Sequence, residues 1–162
     1  MAAAPEKVKS AALSYLSRRE YTAAELRDKL KKRGAVAEDI EQTLAYLQAG
    51  NYQSDERAGS AWINDRRRFA PRGSLLLRQE LQYRGLDSAL VDELLAEYYP
   101  PAEEQAALKR LIAKERLMAV ADNQECQKRY LKLARRAASR GFKKGDIIAA
   151  LEQWRGDLKG DG

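Results

Sequence analysis

The residues with the clearest chemical capacity in this chain are its cations. Lys128, Lys132, Arg135 and Arg136 share one stripe of a helix, within about 100° of arc at 100° per residue. Tyr130, Leu133, Ala134 and Ala137 take the opposite face, and Arg140, Lys143 and Lys144 carry the charge past a glycine. Arg66, Arg67 and Arg68 make a second cluster, followed by Phe69 and Arg72. Such a stripe can contact phosphates or an acidic protein surface. A solvated helix face is the plain alternative, but solvated faces usually mix signs and this stripe holds no acid. Consecutive helical residues point in different directions, so Arg66–Arg68 cannot meet one partner as a block. Neutralising the negative end of a helix is the competing reading there, and the favoured one for Lys31-Lys32-Arg33.

Most other chemistry is excluded. The 162 residues include no histidine, which removes imidazole catalysis and histidine-ligated metal sites. The single Cys126 permits neither an internal disulfide nor a multi-cysteine zinc site, and its expected state is a reduced thiol. No phosphate-binding loop, dinucleotide fingerprint or nucleophile elbow is present. The carboxylates read as helix-surface partners, as Glu25 does for Lys29 at i, i+4. Trp154 and Tyr98 hold equivalent core positions, and Tyr46 and Trp62 lie on apolar helical faces, so the aromatics read as packing rather than as a base-stacking groove. Neither a cofactor nor a metal is expected.

Charge narrows the partners. Lys and Arg total 30 against 24 Asp and Glu, a balance of +6. Residues 101–162 hold +5 of it, 1–52 hold +2 and 53–100 hold −1. This permits an anionic partner without requiring one. No apolar run approaches the ~20 residues that span a bilayer. The start, Met1-Ala-Ala-Ala-Pro-Glu, has neither the basic nor the apolar region of an export signal. The expectation is a soluble, cytoplasmic protein.

The elements that must position these cations come from a repeat. Apolar residues stand eight and four positions before Gly34, Gly85 and Gly141, and six, ten and thirteen after them: Leu26, Leu30, Ile40, Leu44 and Leu47 in the first case. A basic residue, Arg33, Arg84 or Arg140, precedes each glycine. Apolar residues four apart share a helix face, and a glycine with positive φ ends a helix well. Each unit is therefore at least a helix–turn–helix, with room for one more helix ahead of it near 6–19, 55–68 and 102–118. Thr22-Ala-Ala-Glu25 has the capping-box form, and Pro100-Pro101 is a firm break. The reading is all-α: three tandem three-helix repeats, 1–52, 53–99 and 101–155, with a polar tail over 156–162. Units this small bury little core alone, so they are expected to stack into an elongated, curved, solenoid-like rod. The runner-up is one compact bundle of eight or nine helices.

The run Tyr15-Leu16-Ser17-Arg18-Arg19-Glu20-Tyr21-Thr22, with Glu25-Leu26-Arg27, Lys29 and Leu30, resembles the first repeat of RecX proteins, bacterial regulators of the RecA recombinase. Tyr52, Asp55, Arg57-Ala58, Trp62, Arg66, Leu77-Arg78-Gln79-Glu80-Leu81 and Gly85-Leu86 extend the likeness. It departs from the family at Gly50-Asn51-Tyr52, which has an extra residue, at Ala58, where phenylalanine is common, and at Phe69–Gly73, a rearranged linker. The resemblance implies three tandem three-helix repeats without catalytic residues. It also implies binding to RecA, especially its filament on single-stranded DNA, and restraint of its ATPase, strand-exchange and co-protease activities. The cations named above are the expected contacts, with direct DNA contact left open, no membrane contact, and a monomeric state. The rival is a stand-alone helical module that sequesters single-stranded DNA.

Overall fold

A computed structural model describes residues 5–114 and 123–160. Among them are nine α-helices and no strand: α1 (Glu6–Leu16), α2 (Ala23–Lys32), α3 (Ala37–Ala49), α4 (Asp55–Phe69), α5 (Ser74–Tyr83), α6 (Ser88–Tyr98), α7 (Pro101–Ala113), α8 (Asn123–Ser139) and α9 (Lys144–Gly160). Of the helix expected over 102–118, the last four residues lie outside the described ones, as do 161 and 162 of the expected tail. Helix α9 itself continues to Gly160.

The three glycines do what their spacing predicts. Gly34, Gly85 and Gly141 have φ of +87°, +90° and +82° and end α2, α5 and α8. In each, the glycine N–H bonds a carbonyl three residues back and the next N–H bonds one five back: Lys31 and Leu30, Gln82 and Leu81, Ala138 and Ala137. This is the Schellman arrangement, which satisfies carbonyls that a helix end leaves open.

The chain divides into two compact units, Met1–Trp62 with Glu80–Leu94, and Ile63–Gln79 with Leu95–Gly162. The division falls within α4, α5 and α6. In the first unit α1, α2 and α3 pack on one another and bury Ala12, Leu26, Leu30, Ile40, Leu44 and Leu47. Each buried leucine contributes about 1.5–3 kcal/mol. In the second, α7, α8 and α9 pack likewise around Leu108, Leu111, Leu133, Ala137, Leu151 and Trp154. Two aromatic expectations need correction. Tyr99, at 3% exposure, takes the core place expected for Tyr98, which is half-buried. Tyr46 is exposed and stacks on Tyr52 at 6.2 Å instead of entering the core.

A joint links the start of α2 to the next repeat inside the first unit. Thr22 and Glu25 form the expected capping box, with Glu25 N–H donating to Thr22 Oγ1 at 3.1 Å and Thr22 N–H to Glu25 Oε2 at 3.0 Å. The same Thr22 hydroxyl donates to the Arg84 carbonyl at 2.6 Å. Ala23 N–H donates to Asp55 Oδ1 at 2.8 Å, and Gln53 Nε2 to the Tyr21 carbonyl at 3.2 Å. Arg84, 8% exposed, grips both Glu25 oxygens at 3.0 Å and lies over the Trp62 ring at 4.4 Å. A Cβ on Gly85 would overlap the Ala24 methyl, so glycine there serves close approach as well as positive φ. Burial pushes the Glu25 carboxyl up, but hydrogen bonds from Arg84, the Thr22 N–H and Arg19 outweigh it and hold the group below its ordinary value. The expected Glu25–Lys29 pair is not made; the Lys29 ammonium sits over the Tyr15 ring at 5.2 Å.

Candidate functional site

The second unit repeats this joint with different residues, and the repetition lays the linker that carries Arg72 against the turn that carries Arg140. Gly73 N–H donates to the Arg140 carbonyl at 2.7 Å, and Leu75 N–H to the Gly141 carbonyl at 3.2 Å. Ser74 N–H donates to Glu104 Oε1 at 2.8 Å, as Ala23 does to Asp55. The Tyr99 hydroxyl donates to the Arg72 carbonyl at 2.6 Å, in the role Gln53 plays in the first unit. Burial and the Glu104 charge push the Tyr99 phenol above its usual range, so it stays a donor. Close backbone approach needs glycine on both sides. A Cβ on Gly73 would overlap the Gly141 carbonyl, and one on Gly141 would overlap Leu76. The linker that carries Arg72 is thereby fixed against the turn that carries Arg140.

Individual cations then differ. Arg140 Nη1 donates to the Pro71 carbonyl at 3.2 Å, so this side chain helps hold the joint. Arg67 is half-buried and reaches Glu103 at 3.9 Å. Arg66 and Arg72 are half-buried as well. Arg68 is exposed, with its guanidinium over the Phe69 ring at 5.3 Å and Phe69 itself 73% exposed. The Arg66–Arg68 run therefore divides its side chains among different surroundings, as helical geometry requires. On α8 the stripe is intact. Lys128, Lys132, Arg135 and Arg136 are exposed, while Leu133 and Ala137 are buried beneath them. Lys143 and Lys144 are exposed at the start of α9. Glu125 pairs along the helix with Arg129 at 3.6 Å rather than with the stripe.

The units differ sharply in charge. The second holds 19 Lys and Arg against 11 Asp and Glu, the first 11 against 13, which together make up the totals of 30 and 24. The excess positive charge thus lies in one unit, where such density raises the local concentration of anions. Among the described residues no group of three or more His, Cys, Asp or Glu could hold a metal, and no helix is long and apolar enough to cross a membrane.

Sequence reasoning missed the joint residues. Asp55 and Arg84 hold the joint of the first unit, and Glu104 and Tyr99 hold that of the second, beside the basic surface. The available signal was an acid in the first turn of α4 and of α7.

Tandem three-helix units with a charged surface define an all-α protein. Two family models match it, described as the first three-helix domain of RecX over residues 9–47 and the second over 54–95. A regulatory protein RecX of Prosthecochloris aestuarii is 36% identical over 106 residues, 65% of this chain and 70% of the relative. One of Bacillus licheniformis is 28% identical over 145 residues, 88% of this chain and 53% of the relative. The chain belongs to the RecX family, and it spans about half the length of several of the curated relatives it matches. The crystal structure of RecX from Lactobacillus salivarius shares the fold at a TM-score of 0.76 and 18% identity, over 91% of this chain and 94% of that one. A second RecX crystal structure gives 0.78 at 20%, over 91% and 72%.

Proposed function

We propose that this protein regulates a RecA recombinase by binding it, above all as its filament on single-stranded DNA, and inhibits its ATPase, strand-exchange and co-protease activities. The observation that carries this reading is the concentration of positive charge in the second unit, on an exposed α8 stripe and a turn fixed beside it. Such a surface suits a position in the filament groove, close to DNA phosphates and acidic protein, where several weak contacts reinforce one another through effective concentration. The protein acts in the cytoplasm as a monomer, with no cofactor and no catalytic group of its own.

The test is single-stranded-DNA-dependent ATP hydrolysis by the host's RecA on preassembled filaments. Inhibition well below one protein per recombinase subunit, persisting with excess free DNA, is the expected result. Lys132, Arg135 and Arg136 are exposed, so Lys132→Glu/Arg135→Glu/Arg136→Glu should fold normally and inhibit at least about tenfold more weakly. Unchanged inhibition removes the stripe from the mechanism. The second reading is sequestration of single-stranded DNA, favoured by the same charge. It requires inhibition near DNA saturation, relief by added DNA, and an affinity falling with salt at a log–log slope near ~0.7 per phosphate neutralised.

A further inference from the structure

The cations of α2 and its C-cap fall into two groups. Arg27 pairs with Glu41 at 2.6 Å and Lys32 with Asp28 at 2.7 Å, while Lys31 is exposed. Lys29 and Arg33, four residues apart and so on one face, turn toward α1 instead. The Lys29 ammonium lies 5.2 Å from the centre of the Tyr15 ring and 5.7 Å from that of Tyr21, and the Arg33 guanidinium lies 5.3 Å from that of Tyr15. The two rings are 5.8 Å apart and tilted by 60°. Arg19 completes the group, with its guanidinium 3.6 Å over Tyr21. Two neighbouring rings thus carry three cations, in the unit where acids outnumber bases.

This charge is not compensated locally. Like charges four apart on a helix repel each other. Glu25 reaches Arg19 but is shared with Arg84. Among the described residues Lys29 and Arg33 meet no carboxylate. The first four residues of the chain, Met1-Ala-Ala-Ala, bring none either. Capping of the helix end does not occupy them, because the N–H groups of Arg33, Gly34 and Ala35 already take the last α2 carbonyls. An aromatic face attracts a cation and fixes its place, but leaves its charge in being and N–H donors free. We propose that Lys29 and Arg33, with the Tyr15 ring as their floor, bind a phosphate group. A phosphate spreads its oxygens over a tetrahedron, enough to accept from the guanidinium fork and the ammonium together. A planar carboxylate held by the fork turns both its oxygens to the arginine. The cations lie over the two rings, so the site takes the phosphate and stacks no base. It belongs to the first unit, and it holds or fails independently of the basic surface of the second.

The test uses the full chain, isotope-labelled for NMR of backbone amides and arginine side chains, with inorganic pyrophosphate and a short thymidine oligonucleotide as separate probes. Saturable shifts of the Arg33 Nε–H and of the Lys29 and Arg33 amides are expected with pyrophosphate. Lys29→Gln and Arg33→Gln should each weaken that binding about tenfold. Lys31→Gln removes the same charge from an exposed position two residues from each, and should change it by less than about twofold. The oligonucleotide identifies the source. Shifts of the same residues at lower concentration than with pyrophosphate mean that the site takes the backbone of a nucleic acid; shifts with pyrophosphate alone mean that it takes a free phosphate or a nucleotide. No saturable shift at these residues with either probe would overturn the proposal. So would equal losses from Lys29→Gln and Lys31→Gln, since the anion would then be drawn to the helix as a whole and not to a site.

Discussion

Three glycines in the same backbone conformation but different surroundings allow the joints to be measured. Replacing each with alanine imposes the same conformational cost, about 1–2 kcal/mol for a left-handed residue. At Gly34 nothing else is added, because no atom of the described residues lies within 4 Å of the new methyl. At Gly85 the new methyl meets that of Ala24, and at Gly141 it meets the backbone nitrogen and Cβ of Leu76. Overpacking of this kind adds about 1–3 kcal/mol. Gly34→Ala should therefore cost about 1–2 kcal/mol and Gly85→Ala about 2–5 kcal/mol. Gly141→Ala should lie at the upper end, since backbone yields less readily than a methyl. Thermal unfolding followed by far-UV circular dichroism resolves this. A difference of 2 kcal/mol corresponds to about 4–8 °C in a chain of this size. Equal losses at all three positions would refute the argument, because they would mean that the turns carry strain but the joints carry no contact.

Other expectations follow from the same contacts. Arg84→Met leaves a half-buried carboxylate whose remaining partners are Arg19 and its own cap, and should cost about 2–3 kcal/mol in urea unfolding; adding Glu25→Gln should recover part of the loss if the pair is coupled. The Glu25 carboxyl is held below its usual value of 4.5 in the folded state, so its contribution is complete above that pH and is lost as pH falls through the folded value. The stability gap between the wild type and Glu25→Gln should thus be constant at neutral pH and narrow in acid; a gap that widens in acid would contradict the sign. Thr22→Val removes both the helix cap and the bond to Arg84, and should cost about 2 kcal/mol with little change in the RecA inhibition proposed above.

Local features of this chain were legible because they depend on neighbours in sequence. The Leu–Leu–Gly spacing predicts helices that end at Gly34, Gly85 and Gly141, and the Thr22–Glu25 capping box is in place. The exposed α8 stripe likewise follows from 3.6-residue periodicity. What could not be read depends on residues far apart. An i, i+4 rule assigns Glu25 to Lys29, whereas the carboxylate is taken by Arg84, 59 positions away and far better buried. The basic residue before each glycine reads as a complement to the helix dipole, but Arg84 and Arg140 reach across to the preceding repeat. Tyr98 and Tyr99 differ by one position at a helix end, and the hydroxyl bond to Arg72 selects Tyr99. No local pattern shows that the linker through Arg72 lies against the turn at Arg140.

The joints also set a timetable for synthesis. Helix α2 has a side-chain cap from its own first turn, so it can begin before Arg84 emerges. Helix α5 follows Gly73, which has no side chain to cap with, and its first N–H bonds Glu104, 30 residues further on. Gly73 itself waits for Arg140, 67 residues later. At about 5–20 residues per second, that is a delay of several seconds on the ribosome. The start of α5 is therefore where a nascent chain would stay longest unfinished, and a chaperone or protease meeting this protein early would find its opening there.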